Sequence, residues 1–341
     1  MAVVGLDIGG ANLKAADQTG RVVVQPFPLW QRSRELEAAL TTLLSEFAEC
    51  TRIAVTMTGE LADCFRTKHA GVQFILGAVE QAAAGREVLV WQSGGEFVDL
   101  DTARELTPLV AAANWHAQAT WVGRMQPAGS AVLIDIGSTT TDIVPLENGF
   151  PMPRGRTDPE RLACGELVYC GVRRTPLMGL LQEVQLDGVL RPLARELFAT
   201  TLDLFLVTGE IPDDPAEQGT ANGAPATREF AFDRLARQLC GDTSEFSREI
   251  LTEFAHCGRG QLLQLLQSQI QRVAGNEAKV AMLSGEGAFL ARLALAGTSL
   301  QLCGLEQILG EPGSRAACAL AVARLAAETP PLWNFPAVCE V

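Results

Sequence analysis

Only three histidines (His69, His116 and His256) occur in this chain, and none of its cysteines stands in a Cys-x-x-Cys pair. A structural zinc centre is therefore not expected, because such sites draw on closely spaced thiolates and imidazoles. The nine cysteines (Cys50, Cys64, Cys164, Cys170, Cys240, Cys257, Cys303, Cys318 and Cys339) are scattered and odd in number. They read as reduced thiols serving as small apolar residues. Long apolar runs are also missing; none approaches the ~20 residues that a membrane span requires. Positive charge is scarce, with 27 Lys and Arg against 40 Asp and Glu and a formal net charge of −13. That balance argues against nucleic acid or an anionic membrane as a partner. The first residues run straight into a strand with no basic signal-type segment, so a cytoplasmic protein is expected.

What is present suits a folded protein. Hydrophobic residues make up 48% and charged residues 20% of 341 positions, longer than one ordinary domain, and a two-lobed molecule is expected. The run ending at Ile8 reads as a buried strand closed by Gly9-Gly10. Asn12 to Ala16 continues extended, and RVVVQPF from Arg21 makes a third strand. Ser33 is read as the start of a helix, RIAVTMT from Arg52 as a strand, Phe74 to Ala84 as helical and EVLVWQ from Glu87 as a strand. Thr102 to Met125 reads as a helix broken near Asn114. From Arg161 to Ala274 the pattern is mostly helical, with good formers over Leu193–Val207, Phe230–Cys240 and Phe246–Gln271. Gly209 to Thr227, rich in Pro, Gly, Asp and Asn, interrupts it as a loop long enough to be a lid. Val280 to Ser284 is a strand, Ala288 to Ala296 a helix, and Pro312 opens a last helix before a proline-broken tail (TPPLWNFP).

One phrase occurs twice. VGLDIGGANLK, from Val4, and AVLIDIGSTTTDIV, from Ala131, each place an Asp near the end of an apolar run, then a glycine turn and a second strand. The two copies lie about one domain apart and read as an internal duplication. The expected boundaries are 1–128 for a first lobe and 129–341 for a second. The second carries a helical insertion over about 155–275, and its last helix, 312–328, packs on the first lobe. An Asp beside a glycine turn offers a hard oxygen for Mg²⁺ next to backbone N–H groups that point at phosphate oxygens. Asp7 and Asp135 are thus the candidate metal ligands, with Gly9, Gly10, Asn12 and Lys14 beside the first. Gly137, Ser138, Thr139, Thr140 and Asp142 stand beside the second. A late turn, Gly285-Glu286-Gly287, follows another strand.

These turns resemble those of the superfamily that holds actin, the Hsp70 chaperones and the sugar kinases. The resemblance implies an α/β fold of two lobes, each a five-stranded mixed sheet with helices, around a central cleft. MTGELADCF (Met57 to Phe65), RTDPERLACGELVYCGVRRTPL (Arg156 to Leu177) and TANGAPATREFAFDRLARQLC (Thr220 to Cys240) are similar to the hydantoinase A/oxoprolinase branch. GLDIGGANLKAA with VTMTGELADCF narrows it to the small proteins of tetrahydromethanopterin-linked one-carbon metabolism. Their archaeal relatives serve methanofuran biosynthesis.

The chemistry this resemblance implies is transfer of an aminomethylfuran-methyl group from its diphosphate to the phenol of a tyramine or tyrosine derivative. Pyrophosphate is released. A phenol with a pKa of about 10 needs a proton acceptor. Glu60 is the candidate; the alternative is that it caps the first turn of the next helix. Asp63 is the reserve. Arg156, Arg173 and Arg174, in a basic cluster with Arg154 and Arg161, suit a diphosphate or a glutamyl carboxylate; surface ion pairing is the plainer reading of each. Glu166 stays open between a catalytic, a hinge and a helix-surface role. Two departures weigh against ATP turnover: Gly-Gly-Ala-Asn lacks a hydroxyl after its glycines, and Glu286 brings a carboxylate to the late turn. ATP or ADP nevertheless stays an alternative ligand. The rival activities are an ATP-dependent hydantoinase, oxoprolinase or kinase-like enzyme and a nucleotide-sensing non-enzyme. A homodimer is compatible with all three.

Overall fold

A computed structural model describes residues 2–330. The chain divides into two compact units, one made of 2–133, 144–164 and 303–330, the other of 134–143 and 165–302.

The first unit is built on a six-stranded sheet of β1 (Val3–Ile8), β2 (Asn12–Asp17), β3 (Val22–Pro26), β4 (Arg52–Met57), β5 (Glu87–Gln92) and β6 (Glu96–Val98), ordered β3-β2-β1-β4-β5-β6. β1 pairs antiparallel with β2 and parallel with β4, and β4 continues parallel to β5. Every residue of β1 and of β4 is buried, as the near-continuous apolar runs of central parallel strands require. One face carries Val4, Leu6, Ile8, Ile53, Val55 and Met57 into the core beneath the helices Leu36–Ser45 and Lys68–Ala83. The helix Ala317–Glu328 returns over 300 residues later to cover the other face of β1 beside the helix Asn114–Gly123. Arg52 pins it there. Its guanidinium, almost fully buried, bonds Glu87 at 2.7 Å and the carbonyls of Ala326 and Thr329 at 2.9 and 2.6 Å.

The remaining strands are β7 (Ser130–Ile136), β8 (Thr141–Glu147), β9 (Phe150–Pro151), β10 (Leu167–Val168), β11 (Glu183–Leu186), β12 (Val189–Pro192), β13 (Val280–Ser284) and β14 (Gln301–Gly304). Five of them form a sheet in the order β10-β8-β7-β13-β14, with β9 also on β8. The two orders match. Each puts the Asp-bearing strand at the centre (β1, β7), its hairpin partner on one side (β2, β8) and a strand from far downstream on the other (β4, β13). In the second unit the helices Thr201–Thr208, Arg228–Gln238 and Arg248–Ala274 pack together, and the hairpin β11–β12 lies on the longest of them.

Several elements differ from the sequence reading. The first sheet gains a sixth strand because Ser93 to Gly95 turns β5 back into β6. Ser33 opens only a short 3-10 turn, and the longer helix starts at Leu36. The helix expected over 102–125 with a break near Asn114 does break there, after the left-handed Ala112, and breaks again at Leu106, giving Leu100–Glu105, Thr107–Val110 and Asn114–Gly123. The segment 161–274 is less helical than expected, since it holds β10, β11 and β12. Leu193–Val207 is helical only from Thr201, where a Thr200/Asp203 capping box supplies the start signal. The helix read from Pro312 is two, Leu305–Arg315 and Ala317–Glu328, the first kinked at Gly310. The Gly209–Thr227 loop is closed on itself by an Asp214–Ala226 bridge and by a 2.6 Å bond from Thr220 Oγ1 to the Ala224 carbonyl. The proline-broken tail lies, from Pro331 onward, outside the described residues.

Candidate active site

The two copies of the repeated phrase close in the same way. The Gly9 N–H donates to the Asn12 carbonyl at 3.0 Å, and the Gly137 N–H to the Thr140 carbonyl at 2.9 Å. In the first unit Asp7 is buried, opposite Lys14 on β2 and Thr56 on β4. The Lys14 ammonium lies 3.8 Å from the Asp7 carboxylate. Thr56 Oγ1 is buried with no hydrogen-bond partner among the described residues.

Glu60 stands beside this turn because the N–H groups of Thr58 and Gly59 both donate to the Ile8 carbonyl, at 2.9 and 3.0 Å. The next helix begins only at Lys68, so Glu60 does not cap its first turn. It lies against that turn instead. A Cβ on Gly71 would sit 1.9 Å from the Glu60 carbonyl oxygen, so only glycine lets the two backbones come this close. Glu60 is 1% exposed. Its Oε1 is 3.9 Å from Lys68 Nζ, and its Oε2 has no hydrogen-bond partner among the described residues. Burial pushes its pKa up to about 7; its own backbone N–H and Lys68 pull downward, and Asp158 adds to the rise.

Charges of alternating sign continue from there within the same unit. Lys68 Nζ is 3.7 Å from Asp158, whose other oxygen is 4.0 Å from Arg161 Nη1. Arg161, 1% exposed, places its guanidinium 3.9 Å over the Trp115 ring. Trp115 meets His116 edge-on, and His116 lies 5.9 Å from Trp91. Burial first, then Arg156 and Arg161, push His116 down to about 4 and keep it neutral. The segment that delivers Asp158 is shaped by its neighbours: the Glu160 carboxylate accepts from the N–H groups of Arg156 and Thr157, at 2.9 and 3.2 Å. Arg156 itself is exposed, Arg154 donates to the Cys164 carbonyl and Asp63 sits in an exposed turn.

In the second unit three turns stack. The Val172 N–H donates to the Gly137 carbonyl and those of Arg173 and Arg174 to the Ser138 carbonyl, each at 3.0 Å, while the Gly287 N–H donates to the Ile136 carbonyl at 2.8 Å. Gly285 has φ +85°, and a Cβ there would sit 2.7 Å from the Asp135 carboxylate. Glu286 does not confront this site with a bare charge: Arg173 holds it through Nε at 2.6 Å and Nη2 at 2.5 Å. Burial works against the charge of Arg173, but the bond to Glu286 outweighs it and raises its pKa. Asp135 is half-buried beside Ser138, Thr139 and Thr140, Asp142 is buried on β8, and Arg174 is exposed. Glu166 is fully buried ahead of β10, which removes the helix-surface reading.

The unit-by-unit structure thus brings Asp7, Gly9, Gly10, Asn12, Lys14 and Glu60 together in one unit, and Asp135, Gly137, Ser138, Thr139, Thr140, Arg173, Gly285 and Gly287 together in the other. Sequence reasoning missed Lys68, Asp158, Gly71 and His116. Asp158 was visible inside RTDPERL, where Thr-Asp-Pro-Glu is a helix-start signature; nothing in the sequence ties it to Lys68.

A central Asp strand, glycine turn and hairpin made twice, with matched strand orders, define the actin-like α/β fold class. Consistent with it, the nucleotide-free acetone carboxylase structure aligns over 94% of this chain and 70% of its own, with a TM-score of 0.50 and 11% identity; this speaks for the fold alone. Residues 52–329 match the hydantoinase/oxoprolinase family, and the chain belongs to it. Over 276 residues it is 34% identical to the (4-{4-[2-(gamma-L-glutamylamino)ethyl]phenoxymethyl}furan-2-yl)methanamine synthase of Methanocaldococcus jannaschii, covering 80% of this chain and 82% of that one. A Methanococcus vannielii protein of the same name is 32% identical over 145 residues, 42% of this chain and 65% of its own.

Proposed function

We propose that the protein is an ether-forming transferase of methanofuran-type cofactor synthesis. It joins an aminomethylfuran-methyl diphosphate to the phenol of a tyramine or tyrosine derivative and releases pyrophosphate. The synthases it resembles are named for a product with a phenoxymethyl-furan link, and that bond is the one such a transfer makes. The observation that carries the reading is Glu60, a buried carboxyl with one free oxygen and a pKa near 7. A group of that pKa is charged enough at neutral pH to accept a proton and basic enough to drive the transfer. As the phenol oxygen forms its bond to the furanylmethyl carbon, its proton passes to Glu60 Oε2. The carbon–oxygen bond to the diphosphate breaks, and its electron pair leaves with pyrophosphate.

Asp7 in the first unit and Asp135 in the second each offer a hard oxygen beside a glycine turn, and either would fit Mg²⁺, which takes one or two carboxylates and completes its shell with phosphate and water. When bound it supplies charge to the departing diphosphate. Within the second unit, the hydroxyls of Ser138, Thr139 and Thr140 with Arg173 are donors of the kind that hold a phosphate. Thermal unfolding with Mg²⁺ and, separately, pyrophosphate, ADP and ATP tests the reading. Stabilisation by magnesium pyrophosphate, of about 2.7 kcal/mol at 100 times its dissociation constant, with nothing added by adenosine, is expected. A clear preference for ADP or ATP overturns it in favour of an ATP-dependent enzyme.

A further inference from the structure

The first turn of the helix Lys68–Ala83 is built around Glu60 twice over. Gly71 admits the Glu60 backbone, and Lys68, three residues earlier and so on the same helical face, reaches its carboxyl. Thr67 caps the turn by accepting from the Ala70 N–H. The Lys68 ammonium stands between two carboxylates, 3.9 Å from Glu60 and 3.7 Å from Asp158. Neither distance is a hydrogen bond. The three groups differ in access to water: Glu60 is buried, whereas Lys68 is 29% and Asp158 32% exposed.

We propose that Lys68 and Asp158 are positioning residues for Glu60. Lys68 keeps the buried carboxylate in its charged, proton-accepting form, and Asp158 draws the ammonium back so that it does not close onto Glu60 and quench it. The physical reason is a competition. A lone carboxylate in this pocket is neutralised by desolvation, and one clamped by a direct ammonium contact is too weak a base. A cation shared with an outer carboxylate sits between these limits. The charged groups that face Glu60 are Lys68 from its own helix and Asp158 from the helix Asp158–Cys164. Beyond Asp158 stands Arg161, which holds that carboxylate from the far side.

The inference rests on the role given to Glu60 above, so its test reads Glu60 directly as well as through turnover. The carboxyl of Glu60 is titrated in the full-length, ligand-free protein by ¹³C NMR of glutamate-labelled samples, assigned by difference from Glu60→Gln. Lys68→Met is expected to move its midpoint up by about one pH unit or more, Lys68→Arg to restore it, and Asp158→Asn to move it down. The acid limb of the transfer rate should follow in the same directions. Midpoints that stay in place in both Lys68→Met and Asp158→Asn overturn the proposal, as does a rise in Asp158→Asn. If the midpoints move as expected while Glu60→Gln retains full turnover, the positioning stands and the catalytic assignment of Glu60 falls.

Discussion

Replacing Gly71 by Ala is the sharpest test of how the site is assembled, because two effects of opposite sign compete there. In an exposed, uncrowded helix position Ala is favoured over Gly by about 1 kcal/mol. At Gly71 the added methyl would lie 1.9 Å from the carbonyl oxygen of Glu60, 2.6 Å from its carbonyl carbon and 2.8 Å from its Cα. All three are backbone atoms, so no side-chain rotation relieves the clash. Overpacking of this kind costs roughly 1–3 kcal/mol, so after the ~1 kcal/mol helix gain the net effect is destabilisation by up to about 2 kcal/mol with displacement of the Glu60 turn. The control lies in the same helix: a Cβ on Gly77 meets nothing within 4 Å. Gly77→Ala is therefore expected to raise the thermal midpoint, and Gly71→Ala to lower it and to depress ether formation at least tenfold. If both substitutions stabilise the protein, the close seating of Glu60 on the helix is wrong.

Three further outcomes follow from the same structure. Because the pKa of Glu60 is raised in the folded protein, its contribution to stability is present below pH 4.5 and is lost as pH rises through about 7. Glu60→Gln should remove that loss, on the order of 3 kcal/mol, and flatten stability against pH between those values; unchanged pH dependence in urea unfolding would refute it. Glu286→Gln frees Arg173 from the contacts at 2.6 and 2.5 Å, so calorimetry should show pyrophosphate binding about tenfold tighter; weaker binding would refute the role of Arg173. Arg234, fully buried, bonds Asp203 at 2.7 Å and reaches Asn222 and the Pro225 carbonyl at 3.4 Å. Arg234→Met leaves the Asp203 carboxylate buried without its cation, keeping only the Thr200 N–H, at about 3–5 kcal/mol, and should expose the 209–227 loop to limited proteolysis; a loop as resistant as in the parent protein would refute that anchoring.

The central strands, the repeated Asp-glycine turns and the major helices were legible because each is a local pattern. An unbroken apolar run marks β1 and β7, a helical spacing of leucines marks Leu36–Ser45, and a glycine marks each reversal. Short elements were not. β6 and β10 are too brief to show a period, and the extra helix break at Leu106 has no glycine or proline at that position to announce it. Glu60 was readable as a candidate because it follows a strand and a glycine turn, but its burial was not.

By itself the sequence determined that Asp7 and Asp135 would end central strands beside glycine turns, since hydrophobic periodicity and turn chemistry act between near neighbours. It also determined membership of the family, through motifs spread over most of the chain. Only the tertiary structure decided that Glu60 and Asp158, far apart in the chain, would share the ammonium of Lys68, and that Arg173 would hold Glu286. Such pairings depend on which backbone segments approach within a few ångströms, and that is set by packing at Gly71 and Gly285. No local propensity encodes the low dielectric that lifts the pKa of Glu60; it exists only once the surrounding elements have excluded water.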